Sequence, residues 1–216
     1  MLNTLRLGTL IAVAILTAGC LQKDTTHTLY LSPDGSVIWT VNEANVHSDE
    51  GDPGKRIAEE QGYLGPALIG AHTSAQGLAG LTPHAPVRTT VLRDERPFHV
   101  VTEGRFAAVD KVLQRVFTEA GLQTSAVRTS IHDTTTLRVR FDFSRELEGR
   151  DTPMAKLIED FDHVEFVLVE GRFGPVDGFD VTDDTKATLS KEWLERVEKA
   201  YDAKGTIEFS LSWSRR

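Results

Sequence analysis

Two short stretches of the chain place several ionisable side chains close together, and these residue types could do chemistry. In the first stretch, His47, Asp49, Glu50 and Asp52 combine an imidazole with three carboxylates, a set that could bind a metal or act as general acid and base. The same residues precede an Asp-Pro helix start, where acidic side chains favour the positive end of the helix dipole. We interpret them as a solvated helix N-terminus and keep a periplasmic hydrolase using His47 and nearby acids as the alternative.

The second stretch is acidic and runs from residue 177 to residue 184. Its four carboxylates could offer calcium the hard oxygen ligands that this ion prefers: Asp177, Asp180, Asp183 and Asp184. The spacing departs from an EF-hand loop, because Gly178 stands second rather than sixth. We therefore interpret the stretch as a solvated acidic loop rather than a metal site.

The sequence motifs of common enzymes are missing from the chain. It contains no His-Glu-x-x-His, no Gly-x-Ser-x-Gly and no phosphate-binding glycine loop. None of the seven histidines is spaced i, i+4 from another. The sequence thus predicts no catalytic, metal-binding or cofactor-binding residue, and it favours a non-enzymatic binding or structural module.

Cys20 is the only cysteine, and it ends a segment with the layout of an export signal. Arg6 gives a short basic start, residues 7–16 are apolar and uncharged, and the small residues Ala18 and Gly19 follow. The apolar run is too short for a membrane-spanning helix, which needs about 20 residues. The segment is therefore expected to direct export and to be removed.

The residues Leu16-Thr17-Ala18-Gly19-Cys20 resemble the lipobox of bacterial lipoproteins. This resemblance, which covers residues 1–20, implies a signal peptide over 1–19, cleavage between Gly19 and Cys20, and acylation of Cys20 by palmitate-like chains. Two or more chains give stable membrane attachment. Leu21, where an Asp would imply retention at the inner membrane, implies an outer-membrane lipoprotein facing the periplasm.

Composition limits the partners of the exported chain. The whole chain has 216 residues and a net charge of −8, and removal of residues 1–19 takes away Arg6 alone, leaving −9. An acidic protein of this kind is unsuited to nucleic acid and to electrostatic attraction by anionic lipid. With its single cysteine acylated, the protein would contain no internal disulfide and would depend on its apolar core.

The remaining pattern predicts a lipidated tether over 20–26 and a single α+β domain over 27–216. We expect a mostly antiparallel sheet with two main amphipathic helices on one face. The helices are predicted over 107–120 and after a Ser190 cap, with shorter ones over 52–62 and 152–160. The predicted strands are 27–32, 36–41, 87–92, 98–102, 125–131, 137–143, 164–169 and 206–213.

Residues 62–86 differ from the rest because they include no Asp, Glu, Lys or Arg. Five glycines and three prolines in this segment argue against one long helix and predict a loop. Such a loop either packs on the core or offers a surface to an envelope protein, lipid or glycan partner. Both interpretations remain open from the sequence.

Two similar segments suggest an internal duplication. Residues 100–110 and 167–177 match at seven of eleven positions, including a shared Glu-Gly-Arg-Phe, and each is followed by an amphipathic helix and a strand. A repeated strand–helix–strand unit near 87–144 and 162–213 would explain the match. Two unrelated strand ends that happen to be similar are the other explanation.

Overall fold

The computed structural model describes residues 21–144 and 163–215. Its four helices are α1 (Pro53–Leu68), α2 (Thr73–Leu81), α3 (Val109–Glu119) and α4 (Lys191–Asp202). Its strands are β1 (Leu21–Leu31), β2 (Val37–Ser48), β3 (Val87–Arg93), β4 (Phe98–Phe106), β5 (Gln123–Ile131), β6 (Thr134–Asp142), β7 (Val164–Leu168), β8 (Arg172–Asp177), β9 (Phe179–Asp183), β10 (Lys186–Leu189) and β11 (Thr206–Ser214). The predicted α+β class with mostly antiparallel sheet is confirmed. The predicted helix over 152–160 lies outside the described residues.

The described chain divides into two compact units. The first consists of residues 21–27 and 39–105, and the second of residues 28–38, 106–144 and 163–215. The long hairpin of β1 and β2 contributes to both, because each of its strands changes unit partway along. Each unit is described by itself below.

The first unit has the strand order β3-β4-β2-β1, with α1 and α2 contacting β3. Buried and more exposed residues alternate along its strands, because successive side chains of a strand point to opposite faces of the sheet. In β4 the residues of this unit at every second position are buried, from Phe98 through Val100 and Thr102 to Gly104. In β2 the buried residues follow the same period from Trp39 to Glu43, and the pattern shifts by one residue at Asn45, whose φ is +53°, so that Val46 and Ser48 are buried.

Helix α1 begins where the Asp-Pro signal predicts, but it is longer than expected. Asp52 is the N-cap, and its Oδ1 accepts hydrogen bonds from the backbone N–H groups of Gly54 and Lys55 at 2.9 Å each. The helix passes Gly62 and ends at Leu68, and Pro66 lies within it. Gly70 follows with φ of +67°, the left-handed conformation that commonly ends a helix.

Two predictions for the first unit were wrong. Residues 62–86 are mostly helical, comprising the end of α1 and all of α2. Gly70 lies in the break between the two helices, Pro66 lies inside α1, and Pro83 and Pro86 follow the end of α2. Residues 21–26, expected to be a polar tether, form the first half of β1. Their polar side chains bond to β2, for example Asn45 Nδ2 to Asp24 Oδ2 at 2.5 Å.

The second unit contains a four-stranded sheet in the order β5-β6-β11-β8 and the strand order β1-β7-β10-β9. The predicted alternation is confirmed in β6 and β11, where buried residues face each other in register, such as Val139 with Phe209. Aromatic rings meet α4 on this buried face, with Trp193 and Phe209 centroids 5.4 Å apart. The alternate residues Arg138 and Arg140 are exposed.

Both predicted main helices are confirmed in the second unit. Helix α3 buries its apolar stripe and ends at Glu119, and the predicted stop, Gly121, follows with φ of +87°. Helix α4 is capped by Ser190, whose Oγ accepts a hydrogen bond from the Trp193 N–H at 3.1 Å. The ends of α3 therefore lie within two residues of the predicted range 107–120, and α4 begins directly after the predicted Ser190 cap.

The two segments of the suggested duplication have different backbones. In the first, Glu-Gly-Arg-Phe lies inside the continuous strand β4. In the second, Gly171 has φ of +103° and the chain turns between β7 and β8. Duplication stays a prediction from sequence similarity alone.

Within residues 21–144 and 163–215, none of the helices combines the length and the apolar character that crossing a membrane requires.

Candidate functional site

The lipid-attachment site predicted at Gly19 and Cys20 adjoins the described structure without being part of it. Both residues lie outside the described ranges, and β1 begins at the next residue, Leu21. The prediction of cleavage and acylation there consequently rests on the sequence.

The polar residues that the structure brings together lie elsewhere, around Glu43 in the first unit. Glu43 is 1 % exposed and occupies the buried face of β2, two residues after Val41. Its Oε1 contacts Lys23 Nζ, and its Oε2 accepts a hydrogen bond from Ser74 Oγ at 3.0 Å. The buried carboxylate is thus held by β1 on one side and α2 on the other.

His72 completes this network from the break between the two helices. Because Gly70 ends α1, the chain extends briefly before α2, and His72 is the N-cap residue of α2. The His72 Nε2 atom lies 3.4 Å from Glu43 Oε2 and 3.0 Å from the Thr102 hydroxyl. The imidazole is 5 % exposed, so it bridges the helices to β2 and β4 inside the unit.

The electrostatics of the network favour an ionised Glu43. Burial alone would raise the pKa of Glu43, but the hydrogen bond from His72, the Lys23 ammonium and the Ser74 hydroxyl together outweigh burial and lower the pKa to about 2. Burial also raises the pKa of the nearby Tyr63 hydroxyl, and the Glu43 charge adds to the effect. Glu43 is therefore a carboxylate, and Tyr63 a neutral phenol, at neutral pH.

Two polar atoms beside the network have no hydrogen-bond partner among the described residues. They are Tyr63 Oη and His72 Nδ1, and the two rings meet edge to face with centroids 6.3 Å apart. A buried polar atom without a partner costs about 1–3 kcal/mol. The packing of α1 and α2 over the sheet offsets that cost.

The order of contacts in the network does not match a nucleophilic relay. In such a relay the serine hydroxyl bonds to the histidine, and an acid orients the imidazole from its far side. Here Ser74 donates to Glu43, and the side of His72 opposite Glu43 has no polar partner among the described residues. The arrangement connects β1, β2, β4 and α2 inside the first unit.

The residues first considered for chemistry do not converge. Asp52 caps α1, and Glu50 Oε1 accepts from the Asp52 N–H at 3.2 Å. His47 Nδ1 lies 2.6 Å from the carbonyl oxygen of Asn45, and Asp49 bonds to Gln22. Each of these four groups thus bonds to a different local partner.

The acidic stretch over 177–184 is not one loop, because Gly178 alone separates β8 from β9. Asp177 pairs with Arg196 at 3.1 Å, and Asp183 Oδ1 accepts two bonds from Thr185, which lower the pKa of that carboxyl. Within the part of the chain that the structure describes, no group of three or more His, Cys, Asp or Glu side chains could hold a metal ion.

Sequence reasoning missed the residues of the Glu43 network, although one signal was present. Glu43 continues the alternation of Val37, Trp39 and Val41, so a strand extended by two residues would have placed it on the buried face. No comparable signal existed for His72, whose position depends on how α1 and α2 pack.

The uncharged segment over 62–86 contributes both buried and exposed residues. Ala67, Ala75 and Leu78 are buried, whereas Leu68 is 61 % exposed and Ile69 is 79 % exposed. The two exposed aliphatic side chains are adjacent, at the end of α1. They are the most exposed apolar pair of neighbouring residues in the described structure.

No protein-family model matches the chain, and no curated protein sequence matches it. Among solved structures, the NMR structure of the folded domain of Mycobacterium tuberculosis LppM is similar over 93 % of this chain and 94 % of that chain. The sequence identity is 9 % and the TM-score is 0.38. A likeness at this level carries no argument about what the chain does.

Proposed function

We propose that this chain is a bacterial envelope lipoprotein, anchored through Cys20 in the outer membrane and facing the periplasm, that binds a partner rather than catalysing a reaction. The lipobox-like residues 16–20 and Leu21 support the anchor and its membrane. The export signal, the uncharged segment over 62–86 and the acidic charge of the remaining chain agree with an extracytoplasmic binding role.

The observation that carries the binding role is the exposure of Leu68 and Ile69. Exposed aliphatic neighbours in a segment without charge favour contact with another apolar surface. The segment contains no Lys or Arg to attract the head group of an anionic lipid. We therefore propose an envelope protein as the partner, with a lipid or a glycan as the other outcomes of the test.

Affinity purification of the lipidated protein from its own envelope, after cross-linking, tests this proposal. The Leu68→Ser/Ile69→Ser variant should recover much less of one specific protein than the wild type. Ile131→Ser is the matched control, because Ile131 is 68 % exposed on β5, outside the segment. Equal recovery by both variants, or recovery of a lipid or glycan alone, would contradict the proposed partner.

A further inference from the structure

Strand β1 begins one residue after the cysteine that we propose to be acylated. Adjacent Cα atoms are about 3.8 Å apart, so the Leu21 end of β1 has no intervening linker to separate it from the acyl chains. This end is also fixed to the fold, since Lys23 pairs with the buried Glu43 and Gln22 Nε2 lies 3.4 Å from Asp49 Oδ2. Any surface at this end of the first unit must therefore lie close to the bilayer.

A set of hydrogen bonds identifies which other segments form this end. Strand β2 ends here at Ser48, and Arg96 donates from Nη2 to the Ser48 carbonyl oxygen at 2.8 Å. Arg96 Nε also pairs with Glu60 at 2.8 Å, and Glu60 Oε1 accepts from the Ser48 N–H at 3.1 Å. The start of α1 and the turn between β3 and β4 are thereby held beside the beginning of β1.

We propose that these two segments, residues 49–57 and 92–97, form a bilayer-facing edge that rests on the phospholipid surface. This inference depends on the proposed anchor at Cys20. Each segment presents an exposed aliphatic side chain, Ile57 at 51 % and Leu92 at 59 % exposure. Apolar side chains of a membrane-attached protein enter the boundary between head groups and acyl chains.

The charge of the edge fits zwitterionic head groups. Its residues include four cations and five carboxylates: Lys55, Arg56, Arg93 and Arg96, against Asp49, Glu50, Asp52, Asp94 and Glu95. This near balance neither attracts nor repels the bilayer strongly. Contact is therefore driven by Ile57, Leu92 and the anchor, and it should change little with salt.

Ile69 provides an internal reference on the same unit. The neighbouring Gly70 lies against Thr89, since a Cβ at Gly70 would be 3.8 Å from Thr89 Oγ1. Thr89 precedes Arg93 by four residues, which is about 13 Å along a strand at about 3.3 Å per residue. Ile69 is thus set back from the edge, although it is more exposed than either edge residue.

Nitroxide labels on single introduced cysteines test the proposal. Because Cys20 is the only cysteine and its thiol is consumed by acylation, Ile57→Cys, Leu92→Cys and Ile69→Cys would each give one reactive thiol in the full lipidated protein. The protein is placed in vesicles of phosphatidylethanolamine and phosphatidylglycerol. Collision of each label with oxygen, which concentrates in lipid, is compared with collision with a water-soluble nickel complex.

The expected result is a several-fold higher ratio of oxygen to nickel collisions at positions 57 and 92 than at position 69, unchanged by added salt. Equal ratios at all three positions, or the highest ratio at position 69, would overturn the edge while leaving the anchor intact. A protein that fails to float with the vesicles would overturn the anchor and, with it, the edge. Flotation thus separates failure of the anchor from failure of the edge.

Discussion

Glu43 is ionised inside the first unit because its neighbours replace the water that it loses on burial. Lys23, Ser74 and His72 each contact one of its two oxygens. Removing one partner of a buried charged network leaves the other groups without compensation, which is costlier than never having buried them. Glu43 is therefore the residue of this network whose replacement reports most directly on the network as a whole.

The pH dependence of stability follows from the lowered pKa of Glu43. Its ordinary value is 4.5 and its value in the folded protein is about 2. Ionised Glu43 therefore contributes its full stabilisation above about pH 4.5, and this contribution is lost as the pH falls through about 2. We predict that Glu43→Gln destabilises the protein by about 1–3 kcal/mol at pH 7 and weakens the loss of stability between pH 4.5 and pH 2.

Urea denaturation of each protein across this pH range provides the measurement. Glu198→Gln, on the exposed face of α4, is the matched control and should follow the wild type at every pH. If the unfolding free energies of the wild type and Glu43→Gln changed in parallel with pH, the pKa of Glu43 would not be lowered on folding.

At the scale of elements, the strongest sequence signal was an apolar stripe at helical spacing. Helix α3 and helix α4 were predicted closely because the apolar stripe and the terminal glycine agree in α3, and the apolar stripe and the Ser190 cap agree in α4. The end of α1 and all of α2 were missed because local glycines and a proline oppose a helix, whereas packing against β3 supports one. Local helix propensity predicts a helix poorly where tertiary contacts determine whether the helix forms.

Leu113 tests the placement of the α3 stripe. It is 2 % exposed, so Leu113→Ala removes buried side-chain volume and should cost about 2–5 kcal/mol of unfolding free energy. Lys111→Ala is the control, since the Lys111 side chain is 70 % exposed, and it should cost less than about 0.5 kcal/mol. Equal shifts in the denaturation midpoint would show that the buried face has been misassigned.

Helix α2 should be the less stable of two comparable helices. It has nine residues and contains Gly77 and Gly80, whereas α3 has eleven residues and contains no glycine. Glycine inside a helix costs about 1 kcal/mol relative to alanine. We predict that the amides of α2 exchange with solvent deuterium faster than those of α3, and that they slow when the partner binds over 62–86. If the amides of α2 exchanged as slowly as those of α3 without a partner, residues 62–86 would only pack against the core and would not form a binding surface.

At the scale of the whole molecule, the sequence predicted the α+β fold class more readily than the residues of the Glu43 network, and the anchor at Cys20 stays a prediction. Hydrophobic alternation and helical periodicity are repeated many times along the chain, so a single error, such as expecting a tether where residues 21–26 form part of β1, leaves the predicted α+β class unchanged. The Glu43 network involves residues as far apart in sequence as Lys23 and Thr102. Contacts between residues so far apart leave no local pattern in the sequence. The prediction of a single domain over 27–216 also depends on long-range packing, and it stays a prediction.

Acylation of Cys20 is the claim on which the proposed function depends, and intact mass measurement with metabolic labelling tests it most directly. Cells are grown with a palmitate analogue, and the wild type is compared with Cys20→Ser. The account predicts a wild-type protein that begins at residue 20, carries the label and has the added mass of two or three acyl chains, and a variant that carries no label and keeps its signal peptide or leaves the membrane. Label retained by Cys20→Ser, or a wild-type protein cut elsewhere and without acyl mass, would contradict it.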